Sequence, residues 1–169
     1  MGIEAFGVSM QIVELGVFQE IKSILTGYPY IRMGSVEITP DYETILGEYS
    51  DSTHFIDLQL SREITSDICT VAVRFSLCSY ESIDSIFIDL VNNILSSFEA
   101  DVWLMTSAIR RKDNFLPGDS KSLIVALPNE IREMRKYWQN RFGTKQGTVR
   151  SDDSFSFVGA MSKDVVQPS

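Results

Sequence analysis

The sequence predicts an α+β domain: an antiparallel sheet of four to six strands, a central amphipathic helix packed on one face, and flanking helices near the termini. Three observations predict it. Over residues 79–99, apolar side chains recur at three- and four-residue steps, the period of a helix with one buried stripe. Over 54–60 and 68–78 they alternate, as half-buried strands do, and the short polar link between the two runs makes them an antiparallel hairpin. At 169 residues and 44% apolar, the chain is long enough to bury a substantial core in one domain.

The central helix has the strongest signal. Ile83, Ile86, Phe87, Leu90, Val91, Ile94, Leu95 and Phe98 fall on one stripe, and Asp84, Ser85, Asp89, Asn92, Asn93 and Ser96 fall opposite. Ser79 is the expected N-cap, with Glu81 and Asp84 placed where the helix dipole favours negative charge. Burying each large apolar side chain is worth about 1.5–3 kcal/mol, and ordering each residue costs about 1–2 kcal/mol. Gain and cost are of similar size, so the helix is expected only against a sheet.

The other elements follow in order. Residues 1–9 read as an extended lead-in, and 10–26 as a helix closed by Gly27 and Pro29. A connector over 28–34 leads to a short strand at 35–39, in which Val36 and Ile38 alternate with Glu37 before Pro40. Residues 41–52 read as an acidic, turn-rich loop. On the hairpin, His54, Ile56, Leu58 and Leu60 share one face of the first strand, and Cys69, Val71, Val73, Phe75 and Leu77 one face of the second. Val102, Trp103, Leu104 and Met105 suggest a central strand covered on both sides. After a loop with a Pro117-Gly118 turn, residues 122–127 read as another hairpin arm ended by Pro128. Asn129 then caps a helix to Phe142, with Ile131, Met134, Trp138 and Phe142 expected inward. The domain is expected over 1–143, with 144–169 a polar, mobile tail holding one loose strand at 155–158.

Composition narrows the function. Net charge is −8, divided unevenly: residues 1–109 carry 16 Asp and Glu against 4 Lys and Arg, residues 110–169 carry 7 against 11. No apolar run reaches the length of a membrane span, and the first residues lack a signal-peptide pattern, so a cytoplasmic protein without a membrane partner is expected. Cys69 and Cys78, nine apart in one predicted strand, are expected on opposite faces about 30 Å apart, beyond disulfide reach.

Catalytic furniture is sparse. His54 is the sole histidine, and there is no HExxH, CxxC, phosphate-binding glycine loop or dinucleotide fingerprint, so no cofactor, metal or catalytic residue is assigned. His54 and Asp57 lie three apart on a strand and point to opposite faces. Asp84 and Asp89 lie about 140° apart around their helix, and Asp41, Glu43, Glu48 and Asp51 lack calcium-loop spacing. Two basic groups, Arg110-Arg111-Lys112 and Arg132, Arg135, Lys136 and Arg141 beside Tyr137 and Trp138, raise nucleic-acid binding. Trp138 on the apolar stripe and a pI of about 4.6 argue against it.

Protein recognition remains. The outline is similar to that of small bacterial immunity proteins, which neutralise a cognate toxin by covering its active surface. The expected function is non-enzymatic binding of a basic protein, with steered association to an acidic face. The expected contact residues are Asp41, Tyr42, Glu43, Glu48, Tyr49, Asp51, Asp84 and Asp89. The alternative is a small enzyme or ligand-binding domain whose site is assembled from residues distant in sequence, marked by titratable groups converging with perturbed pKa values.

Overall fold

The computed structural model describes residues 5–106, 119–144 and 146–149. The elements run β1 (Ala5–Ile12), α1 (Val17–Gly27), β2 (Ile31–Ile38), β3 (Tyr42–Ser50), β4 (Phe55–Glu63), β5 (Cys69–Ser76), α2 (Ile83–Ser97), β6 (Asp101–Thr106) and α3 (Ser120–Phe142). The six strands form one antiparallel sheet in the order β2-β3-β4-β5-β1-β6. With its helices this is an α+β fold. Among the described residues, no helix is long and apolar enough to cross a membrane.

Register explains the core. Ile45, Leu60, Val71, Met10 and Val102 stand opposite one another across five strands, and all are buried. Period-two alternation places the neighbouring rows of apolar residues on the same face. The buried stripes of α1, α2 and α3 join these residues in a single cluster. Phe87 of α2 sits edge-on to Phe6 at 5.8 Å and against Phe75 at 4.9 Å, tying the helix to β1 and β5. Gly16 enters α1 at φ 76°, a left-handed conformation that suits glycine, and its N–H donates to Asp67 Oδ2 at 2.8 Å.

Several expectations need correction. Helix does not begin at residue 10: Phe6, Val8, Met10 and Ile12 alternate with Gly7, Ser9 and Gln11 in β1, and α1 starts only at Val17. Residues 31–34 belong to β2, and the acidic stretch 42–50 is an interior strand. Its acids face cross-strand partners, Glu43 opposite Arg62 and Glu48 opposite Arg32, so tertiary pairing overrides a loop-like composition. β6 is an edge strand, paired among the described residues with β1. Residues 122–127 are helical, because Leu123, Leu127, Ile131, Met134 and Trp138 form one buried stripe through Pro128, whose missing N–H falls on the exposed face. α2 starts at Ile83, and Ser79 is buried, its hydroxyl donating to the Val149 carbonyl. Cys78 lies past the end of β5; it and Cys69 are free and buried. Of the loop expected over 110–121, residues 120 and 121 open α3, whereas its residues 110–118, with the basic run Arg110-Arg111-Lys112, and the strand expected at 155–158 lie outside the described residues.

Candidate functional site

The antiparallel order gives the sheet two unlike ends. At one end lie the close of β1, the β2–β3 turn, the β4–β5 turn and the start of β6. Those segments (13–16, 37–43, 62–69 and 98–101) bring together Glu14, Glu37, Asp41, Glu43, Glu63, Asp67, Glu99 and Asp101, eight carboxylates, against the single guanidinium of Arg62. Arg62 is itself consumed, pairing with Glu43 and reaching Asp67 at 3.4 Å. Large apolar side chains stand exposed among the acids: Leu15 at 79%, Ile38 at 73%, Val13 at 68%, Tyr42 at 50% and Ile64 at 46%. A cleft of about 430 Å³ lies between Gln11, Val13, Glu14 and the Glu99–Asp101 segment. Among the described residues, no three His, Cys, Asp or Glu side chains are grouped to hold a metal ion.

The opposite end gathers a polar network from the β3–β4 turn and the approach to α2. Asp51 Oδ1 accepts the backbone N–H groups of Thr53 and His54 at 3.0 and 2.8 Å, which fixes the turn. Its Oδ2 accepts the Tyr49 hydroxyl at 2.9 Å and lies 2.9 Å from His54 Nδ1. Across the ring, His54 Nε2 lies 2.7 Å from Ser82 Oγ. Burial alone pushes the Asp51 carboxyl up, but the His54 ring and N–H, the Thr53 N–H and the Tyr49 hydroxyl together hold it well below the usual carboxylate range. The Tyr49 phenol is pushed up to about 12, by burial first and then by its bond to Asp51.

This carboxylate links folding to pH. Because its folded pKa is depressed, Asp51 contributes stability above the ordinary carboxylate value of about 4, and that contribution drains away as pH falls below it. Asp51→Asn is therefore expected to melt well below wild type at pH 7, with the gap narrowing by pH 3. Melting curves across that range check this; a gap of constant size would assign the stability to something other than the ionised carboxylate.

A third cluster lies between α2 and α3. Arg135 is 4% exposed; its Nη1 donates to the carbonyls of Leu77 and Ser79 at 2.7 and 2.8 Å, and its Nη2 to Asp84 Oδ1 at 2.5 Å. The Asp84 carboxyl is pushed up, by burial first, against the pull of the guanidinium and with the Glu81 charge adding to the rise. Glu81, Arg132 and Lys136 line the adjoining groove of about 470 Å³. Arg135 and Trp138, weighed above for nucleic acid, are both turned into the fold.

The eight expected contact residues are therefore distributed. Asp41, Tyr42 and Glu43 sit at the acidic end, with Asp41 and Tyr42 exposed. Tyr49 is buried and, with Asp51, belongs to the opposite end. Glu48 lies on the sheet face away from the helices, level with Arg32 and Asp57. Asp84 is engaged by Arg135, and Asp89 is exposed on α2, where its carbonyl accepts the Tyr28 hydroxyl at 3.3 Å. Glu14, Glu63, Glu99 and Asp101 share no local signal in the sequence and are brought together by strand order; Ser82, 28 positions beyond His54, has none either. No protein-family model matches the chain, and comparison with curated proteins finds no match.

Proposed function

We propose that the chain is a protein-binding domain whose acidic sheet end engages a basic partner, in the manner of an immunity-type protein that neutralises a basic toxin. The observation that supports this is the meeting of eight carboxylates and exposed Val13, Leu15, Ile38, Tyr42 and Ile64 on one end of the sheet. Acids of one sign steer a basic partner into encounter, and exposed apolar and aromatic side chains supply contact area once it arrives. Asp41, Tyr42 and Glu43 carry over from the sequence-based contact set. Glu14, Glu37, Glu63, Glu99 and Asp101 extend it.

The test combines Glu37→Lys, Asp41→Lys and Glu63→Lys, leaving the Glu43–Arg62 pair intact. Wild type and variant are used as parallel baits. A basic protein retained by wild type and lost by the variant is then purified, and its association rate is measured against salt. Slowing of at least about 10-fold at low ionic strength, shrinking as salt screens the charges, is expected with an unchanged melting temperature. Equal retention or equal rates would remove the acidic end from recognition.

A further inference from the structure

We infer that Ser82 is an activated nucleophile, with His54 as its general base and Asp51 as the residue that positions the ring, and that this end of the sheet accepts an activated acyl or phosphonyl donor. The inference is independent of the acidic end and of any protein partner.

Two segments supply the three side chains, Asp51 and His54 from the β3–β4 turn and Ser82 from the residue before α2, and they meet in serial contact: Asp51 Oδ2 to His54 Nδ1 at 2.9 Å, and His54 Nε2 to Ser82 Oγ at 2.7 Å. Asp51 is an ionised acceptor already holding two backbone N–H groups and a phenol, so the ring hydrogen belongs on Nδ1. In the neutral ring that leaves Nε2 as an acceptor, and the Ser82 hydroxyl donates to it. This is the bonding order that lets an imidazole withdraw a serine proton, and it is recognised by geometry and roles, not by chain order. Access is also suitable: Ser82 is exposed, whereas the His54 side chain is only 12% exposed and so keeps one orientation. Ser82 immediately precedes α2, whose positive dipole end favours negative charge developing beside Oγ.

The step balances without a cofactor. Ser82 Oγ forms a bond to the carbonyl carbon of an ester as its proton passes to His54 Nε2. The carbon–oxygen bond to the leaving alkoxide breaks, and the alkoxide takes that proton away as an alcohol. Water, deprotonated by the same nitrogen, then returns the free acid and the hydroxyl. A fluorophosphonate stops at the first stage: Oγ bonds to phosphorus, and fluoride and the proton leave.

The experiment treats the full chain with a fluorophosphonate and follows it by intact-protein and peptide mass spectrometry. A single adduct on Ser82 is expected, absent in Ser82→Ala and formed about 10²–10⁴-fold more slowly in His54→Gln. Circular dichroism confirms that both variants remain folded, and the exposed Ser82 gives the alanine variant little reason to unfold. The role of Asp51 is read by proton NMR, in which a His54 Nδ1 proton downfield of the amides persists in Ser82→Ala and disappears in Asp51→Asn. If the bonds only clasp the β3–β4 turn to α2, Ser82 is labelled no faster than other exposed serines and His54→Gln changes nothing. Either result would overturn the inference.

Discussion

Leu90→Asp is expected to abolish the cooperative unfolding transition, leaving a chain without a native melt. Leu90 is fully buried at the middle of α2, flanked on the same stripe by Phe87, Val91 and Ile94, all fully buried. The substitution forfeits about 1.5–3 kcal/mol of apolar burial. It also places a carboxylate where the surroundings are the apolar side chains of the core cluster, at a cost of several kcal/mol after relaxation. Against a total stability of about 5–15 kcal/mol for a domain, that sum removes most or all of the folded population. Asp89→Asn, one residue away on the exposed face, is the matched control and should melt like wild type. Circular dichroism melts of the two variants make the comparison. A native transition for Leu90→Asp would mean that α2 does not organise the core.

The legible parts of the fold were those whose periodicity is strong and whose burial is one-sided. α2, β4 and β5 announce themselves because each buried stripe is unbroken in sequence and each opposite face is mostly polar, Phe55 on β4 and Ala72 on β5 being exceptions. β3 was illegible because Glu43 and Glu48 look like solvated loop acids until Arg62 and Arg32 stand opposite them. In the sequence α3 looks like a strand followed by a helix because Pro128 punctuates it, although the four-residue steps from Leu123 to Leu127 to Ile131 run straight through. The candidate sites divide in the same way. Asp41, Tyr42 and Glu43 are adjacent in sequence and could be singled out, whereas Glu14, Glu63 and Asp101 meet only after antiparallel pairing brings six strand ends together. For the relay, the sole local signal was an aspartate three residues before a histidine in a turn, a spacing that suits side-chain capture of turn N–H groups. Ser82 had no such signal.

Arg135→Met should cost about 3–5 kcal/mol, the range seen when one member of a buried ion pair is removed. Three acceptors depend on this one planar guanidinium: the carbonyls of Leu77 and Ser79 and the carboxylate of Asp84, whose side chain is 27% exposed. Methionine fills a similar volume and keeps contact with Phe75, over whose ring the guanidinium lies at 5.5 Å, so the loss reports hydrogen bonds and charge more than a cavity. Lysine is no substitute, since a single ammonium cannot present the same fork to acceptors on two segments. Adding Asp84→Leu should recover part of the loss by removing the stranded carboxylate, while the two carbonyls still cost about 1–3 kcal/mol each. Urea titration of the single and double variants separates these contributions, with the midpoint falling and the slope unchanged. The consequence reaches further along the chain, because residues 77–79 also seat residues 147–149: Gly147 N–H donates to the Cys78 carbonyl at 3.0 Å, and the Ser79 hydroxyl to the Val149 carbonyl at 3.2 Å. Arg135→Met should therefore expose that segment to protease before the domain as a whole unfolds. A loss under about 1 kcal/mol, with the segment still protected, would mean that water satisfies the two carbonyls as well as the guanidinium does.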